Sequence, residues 1–98
     1  MQITYNTKRI KDVCENAKNA IRTYGSKMAD KIQQRIDEIK ASDSIEDMIQ
    51  YKIGRCHALK GTRGDQYAVD LVHPYRLIFK VDNNKIVIAN IIEIVDYH

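Results

Sequence analysis

Lys85-Ile86-Val87-Ile88-Ala89-Asn90-Ile91-Ile92-Glu93-Ile94-Val95-Asp96-Tyr97-His98 closes the chain and decides how the rest of it is read. From Ile86 to Val95 nearly every position is aliphatic, many are β-branched, and both parities of the alternation are apolar. Such a run predicts a strand in the middle of a sheet, covered on both faces. It stops abruptly at a carboxylate, a phenol and an imidazole. Terminal residues usually fray, but groups attached directly to a buried strand are held in place, which makes Asp96, Tyr97 and His98 candidate functional residues.

Upstream of this strand the pattern stays β for about thirty residues. Asp82-Asn83-Asn84-Lys85 reads as a tight hairpin turn, because Asn tolerates positive φ. Before it, Tyr75, Leu77, Phe79 and Val81 alternate with Arg76, Ile78, Lys80 and Asp82, the signature of a half-buried strand. His73-Pro74 is a turn, Tyr67, Val69 and Leu71 alternate with Ala68 and Asp70 as another strand, Gly61 to Asp65 is a polar loop, and Arg55 to Lys60 is a further strand. An antiparallel meander of three strands is expected.

Nearer the N-terminus the period changes. Ile10, Val13, Cys14, Ala17, Ala20, Ile21 and Tyr24 recur at spacings of three and four, predicting one amphipathic helix that Gly25 ends as a C′ residue. Ser26 then reads as the N-cap of a second helix with the stripe Met28, Ile32, Ile36 and Ile39, and so short a turn forces a helical hairpin. Ser44 with Asp47 resembles a capping box opening a short helix. Gln2 to Tyr5 is a β-prone run, and Asn6-Thr7 supplies a helix cap. The expected fold class is α+β: an antiparallel sheet, three meander strands plus the N-terminal strand, packed against the helical hairpin.

The 98 residues form one domain, 1–98, and 44% apolar with 30% charged residues is a globular composition. Met1 to Thr7 contains no apolar leader and no segment reaches the roughly 18 apolar residues of a membrane span, so a cytoplasmic protein is expected. Cys14 and Cys56 are too few and too far apart for a metal-binding spacing and read as buried small hydrophobes. The formal charge is only +3, but it is concentrated: Lys52, Arg55, Lys60, Arg63, Arg76 and Lys80 face only Asp65 and Asp70 between positions 52 and 80. A basic surplus in one continuous segment suits a phosphate-bearing ligand.

His57-Ala58-Leu59-Lys60-Gly61 joins an imidazole, a cation and a turn glycine, Arg63 follows in the loop, and Arg76 lies on the polar parity of a strand beside Lys80. With Asp96, Tyr97 and His98 these groups form a kit for cleaving RNA with neither metal nor cofactor. That reaction needs a base to take the proton of a ribose 2′-OH, cations to stabilise the phosphorane, and an acid to protonate the leaving 5′-oxygen. Imidazole serves either proton role, having an unperturbed pKa near 6.5. Taken singly, each residue also has a plainer explanation: solvated histidines, surface cations, an aromatic cap on the sheet. His73, beside Pro74 in a turn, reads as solvated.

The His-Ala-Leu-Lys-Gly-Thr-Arg segment from His57, the Tyr-Arg-Leu-Ile-Phe strand from Tyr75 and the closing Glu-Ile-Val-Asp-Tyr-His resemble the HigB branch of the RelE/ParE superfamily of bacterial toxins. The resemblance covers the chain in element order and is specific from about Tyr51 onward. It implies a ribosome-dependent mRNA endonuclease, the toxin of a type II toxin–antitoxin system, with a HigA-like helix-turn-helix antitoxin as partner. The family's histidine before Leu-Lys-Gly falls on His57, its strand arginine on Arg76 and its terminal triad on Asp96, Tyr97 and His98, with Lys60, Arg63 and Lys80 left as candidate phosphate ligands. The chain departs from the family's usual Gly-Asp-Arg followed by tryptophan, having Gly-Thr-Arg-Gly-Asp-Gln-Tyr from Gly61 to Tyr67, and its Val-His-Pro turn replaces a polar one. Two alternatives share the resemblance: a ParE-like toxin that inhibits gyrase without nuclease chemistry, and a degenerate toxin that only binds its antitoxin. The terminal Asp-Tyr-His argues against the gyrase inhibitor, which needs no general acid or base.

Overall fold

The computed structural model describes residues 1–61 and 64–97; Arg63 and His98 lie outside them. The elements run β1 (Gln2–Tyr5), α1 (Lys8–Glu15), α2 (Ala17–Tyr24), α3 (Ser26–Ala41), α4 (Ile45–Gln50), a 3₁₀ turn (Ile53–Arg55), β2 (His57–Ala58), β3 (Gln66–Asp70), β4 (Tyr75–Asn83) and β5 (Val87–Asp96). The strands form one sheet in the order β1-β5-β4-β3-β2, with β1 parallel to β5 and every other pair antiparallel. The expected meander is therefore β3-β4-β5, the N-terminal strand joins it, and the helices cover one face.

The predicted first helix is two helices. Asn16 breaks it: the residue is extended, φ −116° and ψ 105°, and its Oδ1 accepts the backbone N–H groups of Lys18 at 3.0 Å and Asn19 at 3.3 Å. Asn competes well with helical hydrogen bonding in this way, which suits it to a cap. The apolar stripe survives the break because Ile10, Cys14 and Ala20 all reach the core. Gly25, not Ser26, caps α3; at φ 90° it also ends α2, donating its N–H to the Ile21 carbonyl at 2.8 Å and accepting from Ala29 at 3.0 Å. The Ser44 cap forms as expected, its Oγ accepting the Asp47 N–H at 3.1 Å.

Ile32, Ile36 and Ile39 of α3 are buried against the sheet together with Leu77, Phe79, Ala89 and Ile91. Each of these apart from Ala89 contributes roughly 1.5–3 kcal/mol by leaving water. Cys14 and Cys56 are buried as expected, and burial pushes their thiols up to about 12 and about 11. Neither is a nucleophile at neutral pH.

Two strand expectations are corrected. The strand read from Arg55 to Lys60 shrinks to His57–Ala58, because Ile53–Arg55 coils into a 3₁₀ turn through left-handed residues at Lys52, Gly54 and Arg55. In β5 only Ala89 and Ile91 are fully buried, so the strand is not closed over on both faces. A bulge accounts for part of its two apolar parities, while Ile88 and Val95 lie on the face away from the helices. Ile78 pairs with Glu93 and Phe79 with Ile91, which leaves Ile92 as an extra residue in a bulge. Such an insertion reverses the parity of everything beyond it. Ala89 and Ile91 face the helices before the bulge, and Ile94, opposite Leu77, faces them after it.

Candidate functional site: the open face of the sheet

The register assigns the uncovered face. His57 lies opposite Ala68, Ala68 opposite Ile78, and Ile78 opposite Glu93, forming one row across four strands. The next row toward the C-terminal end of β5 holds Asp70, Arg76 and Val95, and the row on the other side holds Gln66, Lys80 and Asn90. Ala68 and Ile78 are fully buried although they belong to this face and stand apart from the main core.

Four side chains, Arg55, Asp70, Arg76 and Tyr97, are linked by contact, and His57 joins them through the Arg55 backbone. His57 Nδ1 lies 3.0 Å from the carbonyl oxygen of Arg55. A carbonyl only accepts, so the contact places a proton on Nδ1, and in a neutral imidazole the lone pair is then on Nε2. Arg55 Nε meets Asp70 Oδ2 at 3.1 Å, Arg76 Nε meets Asp70 Oδ1 at 3.4 Å, and the Arg76 guanidinium lies over the Tyr97 ring, 4.8 Å from its centroid. The Asp70 Oδ1 contact is a charge pair without hydrogen-bond geometry, since that oxygen is buried with no hydrogen-bond partner. Arg55, Asp70, Arg76 and Tyr97, with His73 and Pro74 of the turn, line a recess of ≈ 190 Å³. A larger hollow of ≈ 340 Å³, lined by Ile10, Val13, Tyr24 and Ile94 on the helical side, contains none of His57, Arg76 or Tyr97.

The bulge at Ile92 decides which terminal residue reaches this face. Asp96 pairs with Tyr75 and so shares the parity of Leu77, whereas Tyr97 follows on the parity of Arg76, its N–H donating to the Pro74 carbonyl at 3.0 Å. Of the residues singled out from sequence, Arg76 and Tyr97 are in contact, and His57 shares their face one row away, joined to the set through the Arg55 carbonyl and outside the recess. Lys80 lies on the same face, two residues along the strand from Ile78, and pairs with Asp65 at 3.2 Å. Lys60 is exposed just beyond β2. The site expectations for Arg63 and His98 fall outside the described residues. Among the described residues no group of three or more His, Cys, Asp or Glu side chains is arranged to hold a metal ion.

Sequence reasoning missed Arg55, Asp70 and Arg35 as parts of the site. Arg35 reaches from α3 to donate Nε to the Asp70 carbonyl at 2.6 Å and Nη1 to Glu38 Oε1 at 2.7 Å, packed on Gly54. Asp70 had a signal: a short turn at His73-Pro74 makes it the neighbour of Arg76 on the polar parity. Arg35 had none.

Residues 4–98 match the family model described as the RelE-like toxin of the type II toxin–antitoxin system HigB. The chain belongs to this HigB-like toxin family. Solved structures agree on the fold. A YoeB/ParE toxin from Agrobacterium tumefaciens superposes with a TM-score of 0.61 at 13% identity, covering 100% of both chains. The YoeB-YefM complex from Staphylococcus aureus gives 0.64 at 23% identity, over 100% of this chain and 97% of that one. The YoeB dimer from the same organism gives 0.54 at 22% identity, over 100% and 97%. A search of curated sequences gives no match. This member of the HigB-like family is therefore a RelE-like toxin of the type II class, and no helix among its described residues is long and apolar enough to cross a membrane.

Proposed function

We propose that this toxin is a cytoplasmic, ribosome-dependent mRNA endonuclease that cleaves by attack of a ribose 2′-OH on the adjacent phosphodiester, without a metal ion, and is silenced by a HigA-like antitoxin with a helix-turn-helix region. The observation that carries the reading is the linked set on the open face. His57 has Nδ1 tied to the Arg55 carbonyl, and Arg76 stands beside the Tyr97 ring. His57 Nε2 takes the 2′-OH proton as the bond from O2′ to phosphorus forms. Arg76, assisted by Lys60, Arg63 or Lys80, holds the phosphorane charge. His98 returns a proton to the departing 5′-oxygen, Asp96, on the opposite parity of β5, lends only its charge to that step, and Tyr97 offers its ring to a nucleotide base. The products are a 2′,3′-cyclic phosphate and a 5′-hydroxyl.

The net charge is small for a ribonuclease that must capture free RNA, which favours a substrate presented by the ribosome. Antitoxin pairing is supported by the family and by the Staphylococcus aureus relative solved as a YoeB-YefM complex. The test is induced expression with message ends mapped and gyrase activity assayed in parallel. Cleaved message with intact gyrase, lost in His57→Ala and Arg76→Ala, is expected. Growth arrest with intact message and inhibited gyrase overturns the proposal in favour of a ParE-like activity.

A further inference from the structure

Two guanidinium groups approach one carboxylate at the edge of the recess; Arg55 counted in the sequence only as one cation of a basic segment, and Asp70 only as one of its two acids. We infer that Asp70 is a positioning residue that holds Arg55 and Arg76 as a paired clamp for the phosphodiesters of a single RNA strand, and that Arg55 is the second phosphate-contacting cation of this face. The inference rests on the endonuclease reading for its substrate.

Four observations carry it. Asp70 meets both arginines through Nε, at 3.1 Å and 3.4 Å. A guanidinium has five N–H donors in a planar fork, so each arginine keeps donors for a second anion. The exposures are graded as a clamp requires: the side chains of Asp70 and Arg76 are 26% and 31% exposed, while that of Arg55 is 76% exposed. Two cations against one carboxylate leave a surplus positive charge beside a recess of ≈ 190 Å³ with Tyr97 on its wall.

The arrangement is also held firmly. Asp70 is fixed from behind, its carbonyl oxygen accepting from Arg35 Nε at 2.6 Å. Arg55 holds a left-handed backbone, φ 54°, a conformation that non-glycine residues adopt rarely and that tends to mark functional segments. The Arg55 carbonyl is also the group that receives His57 Nδ1. The residue proposed to grip a phosphate therefore also orients the imidazole proposed to take the proton. A phosphate bound at Arg55 would register the strand against His57.

The experiment separates grip from alignment. Binding of a 2′-O-methyl RNA oligonucleotide, which lacks the 2′-OH and cannot be cleaved, is measured by fluorescence anisotropy across a salt series, and cleavage is measured separately on programmed ribosomes. Arg55→Gln should weaken oligonucleotide binding and reduce the slope of log K against log[salt] by about 0.7, the value for one phosphate contact on a single strand. Asp70→Asn removes a negative charge, so it should bind the oligonucleotide at least as tightly as the parent while cleavage falls at least tenfold in kcat, and Asp70→Glu should restore part of that loss. A residue serving only to stabilise the fold would lower binding and cleavage together, in step with the melting temperature. An unchanged salt slope in Arg55→Gln, no measurable oligonucleotide binding by the parent at the lowest salt, or parental kcat in Asp70→Asn, overturns the clamp. If the parent fails to cleave at all, the endonuclease reading fails, and the Arg55→Gln salt slope still decides the phosphate contact.

Discussion

Gly54→Ala is the substitution whose cost the structure sets most sharply. Gly54 has φ 58° and ψ 24°, left-handed values at which an L-residue loses roughly 1–2 kcal/mol. The added Cβ would lie 2.8 Å from Arg35 Nε and 2.9 Å from its Cδ, closer than real Cβ atoms come. Arg35 has little freedom to give way, because its side chain is only 13% exposed and is held by the Asp70 carbonyl and the Glu38 carboxylate. Displacing it forfeits a charged hydrogen bond worth about 1.5–3 kcal/mol. Restricting the unfolded chain returns about 0.4–1 kcal/mol, so the net loss is roughly 2–4 kcal/mol. For a domain of this size that is a fall in melting temperature on the order of 10 °C or more. Urea denaturation of Gly54→Ala, Arg35→Ala and the double variant measures it, with a coupling of about 1 kcal/mol or more expected between the two sites. A Gly54→Ala protein within about 0.5 kcal/mol of the parent would refute the packing argument.

Three further outcomes are expected. His57→Ala should reduce cleavage by about 10²–10⁴-fold, whereas His73→Ala, an exposed residue at the rim of the recess, should leave the rate near the parent's in the same assay. Asn16→Ala removes the acceptor of two backbone N–H groups at the start of α2 and should cost about 1 kcal/mol in chemical denaturation. Stability should decline in alkali: burial raises Cys14 to about 12, Cys56 to about 11 and Tyr5 to about 12, all above their ordinary values. Raised acids stay neutral in the fold but ionise in the unfolded chain, so their contribution is complete below pH 9 and drains away as pH climbs toward 12. A melting temperature that held constant from pH 9 to 11 would contradict their burial.

The fold was legible wherever a single element carries its own period. The alternation in Tyr75 to Val81, the stripe through Ile32, Ile36 and Ile39 and the Ser44 cap each depend on neighbours a few residues away, and each appears as expected. What stayed hidden depends on residues far apart in sequence or on one inserted position. Asn16 breaks a stripe whose spacing continues across the break. The apolar parities of β5 suggested a doubly covered strand, but the bulge at Ile92 shifts the helix-facing parity from Ala89 and Ile91 to Ile94 and leaves Ile88 and Val95 on the open face. That bulge also chooses Tyr97 over Asp96 as the companion of Arg76, a choice no local pattern encodes. His57, Arg76 and Tyr97 could be picked out as candidates from their side chains, yet the carboxylate joining Arg55 to Arg76 emerges only once β3 and β4 are paired.

The central claim is that the open face cleaves message on the ribosome through a 2′-OH. It is tested most directly by a programmed ribosome carrying a defined message, with the nucleotide 5′ to the mapped cut replaced by its 2′-deoxy counterpart, in buffer containing a divalent-metal chelator at a level that leaves the ribosome assembled. The account predicts cleavage of the all-ribose message to a 2′,3′-cyclic phosphate and a 5′-hydroxyl, and none at the deoxy position. Equal cleavage of both messages, or products ending in a 5′-phosphate, would contradict it.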